Sequence, residues 1–256
     1  MIRPALAQIQ LAFMVLTRLP AGQLPDPAPR IGAAAWAFPL AGLAVGLGTA
    51  LVFWGAVALG LPLGLAALLA LGAQIALCGG LHEDGLADLA DGLWGGHTPA
   101  RRLEIMRDSR IGSYGVLALI LSLGLRWQAL VYLGALDLTL ALLALVALAM
   151  LSRVAPAAML AYLPPARADG LGHSAQSVGW RSVAVAALIA LVPLVLGQAV
   201  PLWAVALVIA AQGVVVLALA RAARRKIGGQ TGDVLGAGQQ LAEIAGYLAL
   251  CAYLGA

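Results

Sequence analysis

The acidic side chains of this sequence are concentrated in one short stretch. Of the 11 Asp and Glu residues in the 256-residue chain, four lie between Glu83 and Asp91. If the stretch is helical, Asp84, Asp88 and Asp91 share one face, because positions i, i+4 and i+7 lie about one and two turns apart. Carboxylates at that spacing repel one another, which favours a bound cation. Hard oxygen ligands favour Mg²⁺, which is commonly coordinated by substrate phosphates as well as by the protein. The spacing predicts a magnesium site; the alternative is a solvated acidic turn between membrane helices.

A second polar stretch, residues 106–115, has the chemistry of a phosphate contact. Arg107 and Arg110 lie on either side of Asp108 in this stretch. Guanidinium groups match phosphate oxygens in bidentate fashion, so the pair predicts binding of a phosphorylated substrate. The alternative is that the two arginines anchor the following membrane span at its cytoplasmic end.

A third polar stretch is rich in glycine and covers residues 228–233. Its backbone N–H groups could cradle an anion, although a plain turn between helices has the same composition. Asp233 at its end and Glu243 further on could add metal ligands. The alternative for both is an acid near a helix N-terminus that interacts favourably with the helix dipole.

The rest of the sequence must position these stretches in a membrane. Hydrophobic residues make up 62% of the chain and charged residues only 10%, whereas soluble domains are about 45–50% apolar and about 25% charged. We therefore expect an all-α, polytopic membrane bundle in one domain, residues 1–256. About seven apolar runs predict membrane spans: 32–59, 63–78, 114–133, 138–163, 182–200, 201–220 and 241–254.

The basic residues predict the orientation of this bundle. Residues 2–19 are amphipathic and too short and polar for a span of about 20 apolar residues, so they predict an interfacial helix. The joints near residues 60, 135 and 200 contain no Lys or Arg, while the other loops carry nearly all of them. By the positive-inside rule, the N-terminus and all three polar stretches face the cytoplasm.

Isolated polar residues in or beside the apolar runs have more than one interpretation. We expect Arg126 to extend to the outer face near Asp137, and Arg153 either to reach the acids or a phosphate or to form a structural pair. His82 either contacts metal or phosphate or is an ordinary turn residue. His97 and His173 are expected to be loop residues.

Four motifs together resemble the cobalamin synthase family, adenosylcobinamide-GDP ribazoletransferase. They are FMVLTRLP at 13–20, GLHEDGLAD at 80–88, MRDSRIGSYG at 106–115 and GGQTGDVLGA at 228–237. The resemblance implies the last assembly step of the cobalamin nucleotide loop. In that step adenosylcobinamide-GDP and α-ribazole, or its 5′-phosphate, give adenosylcobalamin, or its phosphate, and GMP. It also implies dependence on Mg²⁺ and residence in the bacterial inner membrane.

The resemblance leads to a mechanistic hypothesis for the three polar stretches. Mg²⁺ bridges the diphosphate and is held by carboxylates, namely Glu83, Asp84, Asp88, Asp91 and Asp233. The phosphates are contacted by a second group, namely Arg18, His82, Arg107, Arg110, Gly229, Thr231 and Gly232. The 5′-hydroxyl of α-ribazole attacks the phosphorus joined to cobinamide, and Asp91 or Asp108 removes its proton.

Two other functions compete with this hypothesis. The acidic stretch is loosely similar to the metal motif D-x-x-D-G-x-x-A-R of CDP-alcohol phosphotransferases, but Asp88 stands where that motif has Arg. A cation-coupled transporter would place ionisable groups at the bilayer midplane, whereas here the acids gather at one interface. The sequence has no P-loop and shows no interleaving of arginines with aromatics that would indicate nucleic-acid binding. It leaves open whether the chain forms a homo-oligomer.

Overall fold

The computed structural model describes residues 2–168, 178–197 and 200–255, and these residues are helical except for a long connection at 17–30 and shorter ones elsewhere. The helices are α1 (Ile2–Leu16), α2 (Ile31–Ala34), α3 (Phe38–Ala58), α4 (Leu63–Cys78), α5 (Leu81–Gly95), α6 (Pro99–Ile105), α7 (Ser113–Leu136), α8 (Leu138–Ser152), α9 (Val154–Tyr162), α10 (Trp180–Gly197), α11 (Leu202–Ile227) and α12 (Gly232–Leu254). A 3₁₀ turn, Ala35–Ala37, joins α2 to α3. The predicted all-α membrane bundle is confirmed.

The number of membrane-crossing helices is close to the prediction but smaller. Five helical stretches are long and apolar enough to cross a bilayer: Ile31–Ala58, Ser113–Leu136, Leu138–Tyr162, Trp180–Gly197 and Leu202–Ile227. The helices α4 and α5 meet at 89° and pass the same test only together. The described residues therefore provide five or six spans where the sequence predicts about seven. The predicted last span, in α12, is not among them.

Helix α12 is instead the central helix of the bundle. It packs against α5, α7, α8, α9 and α11, and most of its side chains are buried. Its contact with α5 is a direct approach of two backbones. A Cβ added to Gly85 would lie 3.0 Å from the carbonyl oxygen of Asp233, and one added to Gly236 would lie 3.3 Å from that of Leu81. Small residues permit such an approach in membrane helices, and here it brings the acids of α5 to the start of α12.

The interior of the bundle contains a buried ionic network below this contact. Arg126 of α7 is 0% exposed and lies between a carboxylate of α5 and one of α12. Its Nη2 is 3.2 Å from Glu83 Oε1, and its Nη1 is 3.9 Å from Glu243 Oε1. Amide groups donate further hydrogen bonds to these two carboxylates, namely those of Gln74, Gln239 and Gln240. Pairing and hydrogen bonding are what allow such charges to be buried.

This network corrects the expectation for Arg126 and decides that for Arg153. Arg126 does not extend to Asp137, because Glu83 and Glu243 provide two buried carboxylates beside its guanidinium group. Asp137 instead caps α8 by accepting a hydrogen bond from the backbone N–H of Leu140 at 2.7 Å. Arg153, also 0% exposed, donates to a backbone carbonyl one turn earlier and to Cys78 Sγ at 3.1 Å. Its pairing is structural.

The network predicts the effect of removing its cation. The substitution Arg126→Met should lower the free energy of unfolding by about 3–5 kcal/mol, because it leaves Glu83 and Glu243 buried without a counter-charge. Unfolding of the detergent-solubilised protein by heat and by denaturant would measure the loss. Arg224→Met, at an exposed position of α11, is the matched control and should change little. Equal stability of the two variants would contradict the prediction.

Candidate active site

The acidic helix α5 begins at a sharp turn made by two glycines. Gly79 and Gly80 have φ values of 66° and 70°, in the left-handed region that favours glycine. A Cβ added to Gly79 would overlap the side chain of Arg18. The backbone N–H of Arg18 also donates to the carbonyl of Leu77 at 2.7 Å. The turn therefore lets α5 leave α4 at a steep angle and brings Arg18 beside its start.

Three carboxylates from two helices come together where α5 crosses α12. Asp84 is exposed, Asp88 is half-buried, and Asp233 is half-buried in the first turn of α12. Burial raises the pKa of Asp88 to about 7, and the negative charges of Asp84 and Asp233 act in the same direction. Burial also raises the pKa of Asp233. The cluster is thus a concentration of negative charge that a divalent cation would relieve.

The donor chemistry of this cluster fits Mg²⁺, although the cluster does not enclose a metal ion. Within the described parts of the chain, no three His, Cys, Asp or Glu side chains are arranged to hold one unaided. Mg²⁺ is commonly held by one or two carboxylates and completes its shell with water and substrate phosphates. Asp84, Asp88 and Asp233 suit this kind of open site. The magnesium site stays a prediction.

Glu83 and Asp91 contact partners outside this cluster. Glu83 is buried against α7 and α12, where Arg126 pairs with it, and this argues against its predicted role as a metal ligand. Asp91 Oδ2 accepts a hydrogen bond from the backbone N–H of Gly112 at 2.7 Å, and its Oδ1 accepts one from Gly115 at 2.9 Å. Asp91 therefore fixes the 106–115 stretch and the start of α7 to α5. Its predicted roles as metal ligand and base would have to use its remaining lone pairs.

The predicted arginine pair lies outside the cluster. Arg110 is largely exposed, and its Nη2 lies 2.7 Å from Asp108 Oδ2. Hydrogen bonds from Arg110 lower the pKa of Asp108 to about 2, so Asp108 is a weak proton acceptor. Arg107 is exposed after the end of α6. Two cavities open beside Asp84, and neither arginine lines them, whereas Ile111 lines one of them.

The glycine-rich stretch acts mainly as a structural joint. The Gln230 N–H donates to the Pro164 carbonyl at 2.8 Å, and a Cβ on Gly229 would overlap that carbonyl. Thr231 caps α12, accepting from the Val234 N–H at 3.3 Å, and its hydroxyl donates to Asp233 Oδ2 at 3.1 Å. Gly229 and Thr231 thus position Asp233. Of the predicted loop contacts, Gly232 does line a cavity of the site.

The joint also places one arginine that the sequence analysis did not assign. Arg167 follows the segment paired with Gln230, and its Nη1 lies 3.9 Å from Asp233 Oδ2. Its Nη2 donates to the backbone carbonyl of Leu103 at 2.7 Å. Burial raises the pKa of both Asp88 and Asp233, and the Arg167 charge partly opposes this rise. Only its position after two prolines in a polar loop could have drawn attention to it. The predicted loop residue His173 lies outside the described residues.

Two cavities open beside Asp84. The wide cavity, about 510 Å³, is lined by Arg18, Asp84, both turn glycines, and apolar residues that include Leu81 and Ile111. The narrow cavity, about 140 Å³, is mostly apolar and has Asp84, Asp233 and His82 on its wall. Asp84 thus shares the wide cavity with Arg18 and the narrow cavity with Asp233 and the buried His82, while the roles predicted for these residues stay predictions.

The charge cluster predicts a pH-dependent stability difference. Because the folded-state pKa of Asp88, about 7, exceeds the ordinary value of 3.8, ionised Asp88 destabilises the fold as pH rises between these values. In metal-free buffer with chelator, Asp88→Asn should match wild type near about pH 4 and be more stable near about pH 8. Thermal unfolding at both pH values measures the difference.

Asp108→Asn is the control for this measurement, because the pKa of Asp108 is lowered, not raised. It should give no stabilisation near about pH 8. A pH-independent difference between Asp88→Asn and wild type would contradict the proposed charge repulsion.

Comparison with known proteins identifies the family of the chain. A family model described as cobalamin-5-phosphate synthase matches residues 8–251. The adenosylcobinamide-GDP ribazoletransferase of Bradyrhizobium diazoefficiens is 47% identical over 253 residues, covering 98% of this chain and 96% of the relative. That of Azorhizobium caulinodans is 49% identical over 259 residues, covering 97% and 96%. No solved structure matches the chain. The chain therefore belongs to the cobalamin-5-phosphate synthase family, which confirms the family predicted from its four motifs.

Proposed function

We propose that this membrane protein transfers adenosylcobinamide phosphate from adenosylcobinamide-GDP to α-ribazole, or its 5′-phosphate, with release of GMP. Relatives that match nearly the whole chain bear the name of this activity. The observation that carries the proposal is the carboxylate cluster at the α5–α12 contact, which opens toward Arg18 in a wide cavity. The family and the open cluster also favour this reaction over a CDP-alcohol phosphotransferase or a transporter.

The reaction is a direct substitution at phosphorus. A ribose hydroxyl oxygen of α-ribazole bonds to the phosphorus on the cobinamide side, and the bond from that phosphorus to the bridging oxygen breaks. GMP leaves with the bridging oxygen and its electron pair, while the hydroxyl proton passes to a base. Because the family is described by a 5-phosphate product, the 5′ oxygen is already esterified there. We therefore place the attack on another ribose hydroxyl, in place of the expected 5′-hydroxyl.

The residues of the cluster have separate roles in this proposal. Mg²⁺, when held by Asp84 and Asp233, would neutralise charge on the diphosphate. Arg18 contacts the phosphates from the wall of the wide cavity, and Arg167 holds Asp233 in place. Asp88 lies half-buried one turn after Asp84 on α5 and accepts the hydroxyl proton, whereas hydrogen bonds from Arg110 lower the pKa of Asp108. The predicted metal role of Asp88 is the alternative to be tested.

The orientation of the protein in the bacterial inner membrane belongs to the same proposal. The last turn of α11 carries Arg224, Arg225 and Lys226, directly before the loop that leads to Asp233. Basic residues at the end of a membrane span favour the cytoplasmic side. We therefore place the cluster at the cytoplasmic face, where water-soluble nucleotide substrates reach it.

Purified protein tests the reaction and separates the roles of two carboxylates. With adenosylcobinamide-GDP, α-ribazole and Mg²⁺, wild type should release GMP. Asp84→Asn should raise the half-saturating Mg²⁺ concentration by about tenfold or more, because it removes a ligand. Asp88→Asn should lower kcat by about 100-fold or more at unchanged half-saturating Mg²⁺, because it removes a base. A shifted Mg²⁺ dependence in Asp88→Asn would instead make Asp88 a ligand.

A third substitution tests the predicted base Asp108. Asp108→Asn should keep kcat within about twofold of wild type, because a carboxyl group with a pKa of about 2 accepts protons poorly near neutral pH. The steady-state rate of GMP release provides the measurement. A loss comparable to that of Asp88→Asn would restore Asp108 as the base.

A further inference from the structure

The narrow cavity beside the carboxylate cluster has a mostly apolar wall that carries acidic side chains in one part. Its interior is apolar, with Leu16 of α1, Phe38 of α3 and Leu160 of α9, while Asp84 and Asp233 are its only acidic side chains among the described residues. Its volume of about 140 Å³ is close to that of a dry apolar cavity of about 150 Å³ that holds a benzene ring. The cavity therefore suits an apolar ring joined to a polar group at the carboxylates.

His82 supplies an independent sign of a ligand in this cavity. The side chain lines the cavity and is 3% exposed, and its Nε2 has no hydrogen-bond partner among the described residues. A buried polar atom without a partner is unfavourable, and such atoms in native proteins require an explanation. Nε2 itself has almost no accessible surface, so a ligand with one hydrogen-bonding atom in an apolar body would satisfy it once the imidazole turns toward the cavity.

The two cavities adjoin each other at Asp84. Leu81 and Asp84 belong to the walls of both. The wide cavity also has Arg18, which suits a phosphorylated group. A molecule in the narrow cavity would therefore lie next to a diphosphate in the wide one, with Asp84 between them.

We propose that the narrow cavity binds the apolar, fused-ring base of the acceptor nucleoside, with a hydrogen bond between His82 Nε2 and the ring nitrogen. This inference rests on the proposed function, in which the acceptor is α-ribazole, a benzimidazole nucleoside. The acceptor ribose then lies at Asp84 and Asp233, and the donor diphosphate occupies the wide cavity. Both substrates are then bound at once, as direct transfer requires.

Filling the narrow cavity tests the assignment. Leu160→Phe should raise the KM for α-ribazole by about tenfold, with the KM for adenosylcobinamide-GDP within about twofold of wild type. Leu16→Phe fills the same cavity from another helix and should act alike. Leu191→Phe, the same change in a separate cavity lined mainly by α9, α10 and α11, is the control and should alter neither KM. Thermal unfolding and gel filtration identify any variant that fails to fold.

Two further measurements address the hydrogen bond and the base itself. His82→Phe should raise the KM for α-ribazole about three- to tenfold, and His82→Asn should restore part of this loss because it keeps a polar atom. The free base 5,6-dimethylbenzimidazole should inhibit competitively against α-ribazole and not against adenosylcobinamide-GDP. This inhibition should weaken in Leu160→Phe.

The outcomes separate this inference from the proposed function. A rise in the donor KM, or no change in either KM, in folded Leu160→Phe and Leu16→Phe would overturn the acceptor site. Absence of GMP release by wild type would instead overturn the proposed reaction. Equilibrium dialysis of radiolabelled α-ribazole would then decide the inference, because binding by wild type and its loss in Leu160→Phe supports the site. Equal binding by both would contradict it.

Discussion

The backbone contact between α5 and α12 is the constraint on which the rest of the structure depends. It exists because Gly85 and Gly236 have no side chains, and it places carboxylates of two distant segments beside one another. Repulsion among these acids opposes the contact. On the opposite, buried side of α5, Arg126 offsets it by joining Glu83 of α5 to Glu243 of α12. Repulsion among the acids of the site thus pushes α5 and α12 apart, while the ion pairs of Arg126 in the core hold the same two helices together.

Helix α5 places in different environments the three acids that the sequence spacing groups on one face. Asp84 is exposed, Asp88 is half-buried and Asp91 is buried, because α5 runs from the open cavity toward the 106–115 stretch. Burial, and not helical phase, therefore decides which carboxylate is free for a ligand. The glycines of the stretch, at 112 and 115, leave room for the Asp91 carboxylate, where a Cβ would collide with it.

Much of this arrangement could be predicted from the sequence, and the limits have physical reasons. Hydropathy predicted the helical membrane bundle, and linked motifs predicted the family, because both signals are local. The partners of Arg126 could not be predicted, since pairing across helices depends on packing distances that no local pattern contains. Arg167 was missed for a similar reason: its relation to Asp233 is set by a bridge to Gln230. The described part of the chain provides five or six spans where the sequence predicts about seven, because α12 contains buried polar side chains, namely Gln239, Gln240 and Glu243, that lower its hydropathy.

The 89° angle between α4 and α5 has a consequence for how reactants meet. If α4 runs along the membrane normal, α5 lies in the plane of the lipid headgroups, and the cluster is presented at a surface, not in bulk water. An amphiphilic reactant that partitions to that surface is concentrated in two dimensions before it encounters the protein. Turnover would then follow the number of reactant molecules per unit area of membrane, so that dilution with additional lipid would slow it at constant total concentration.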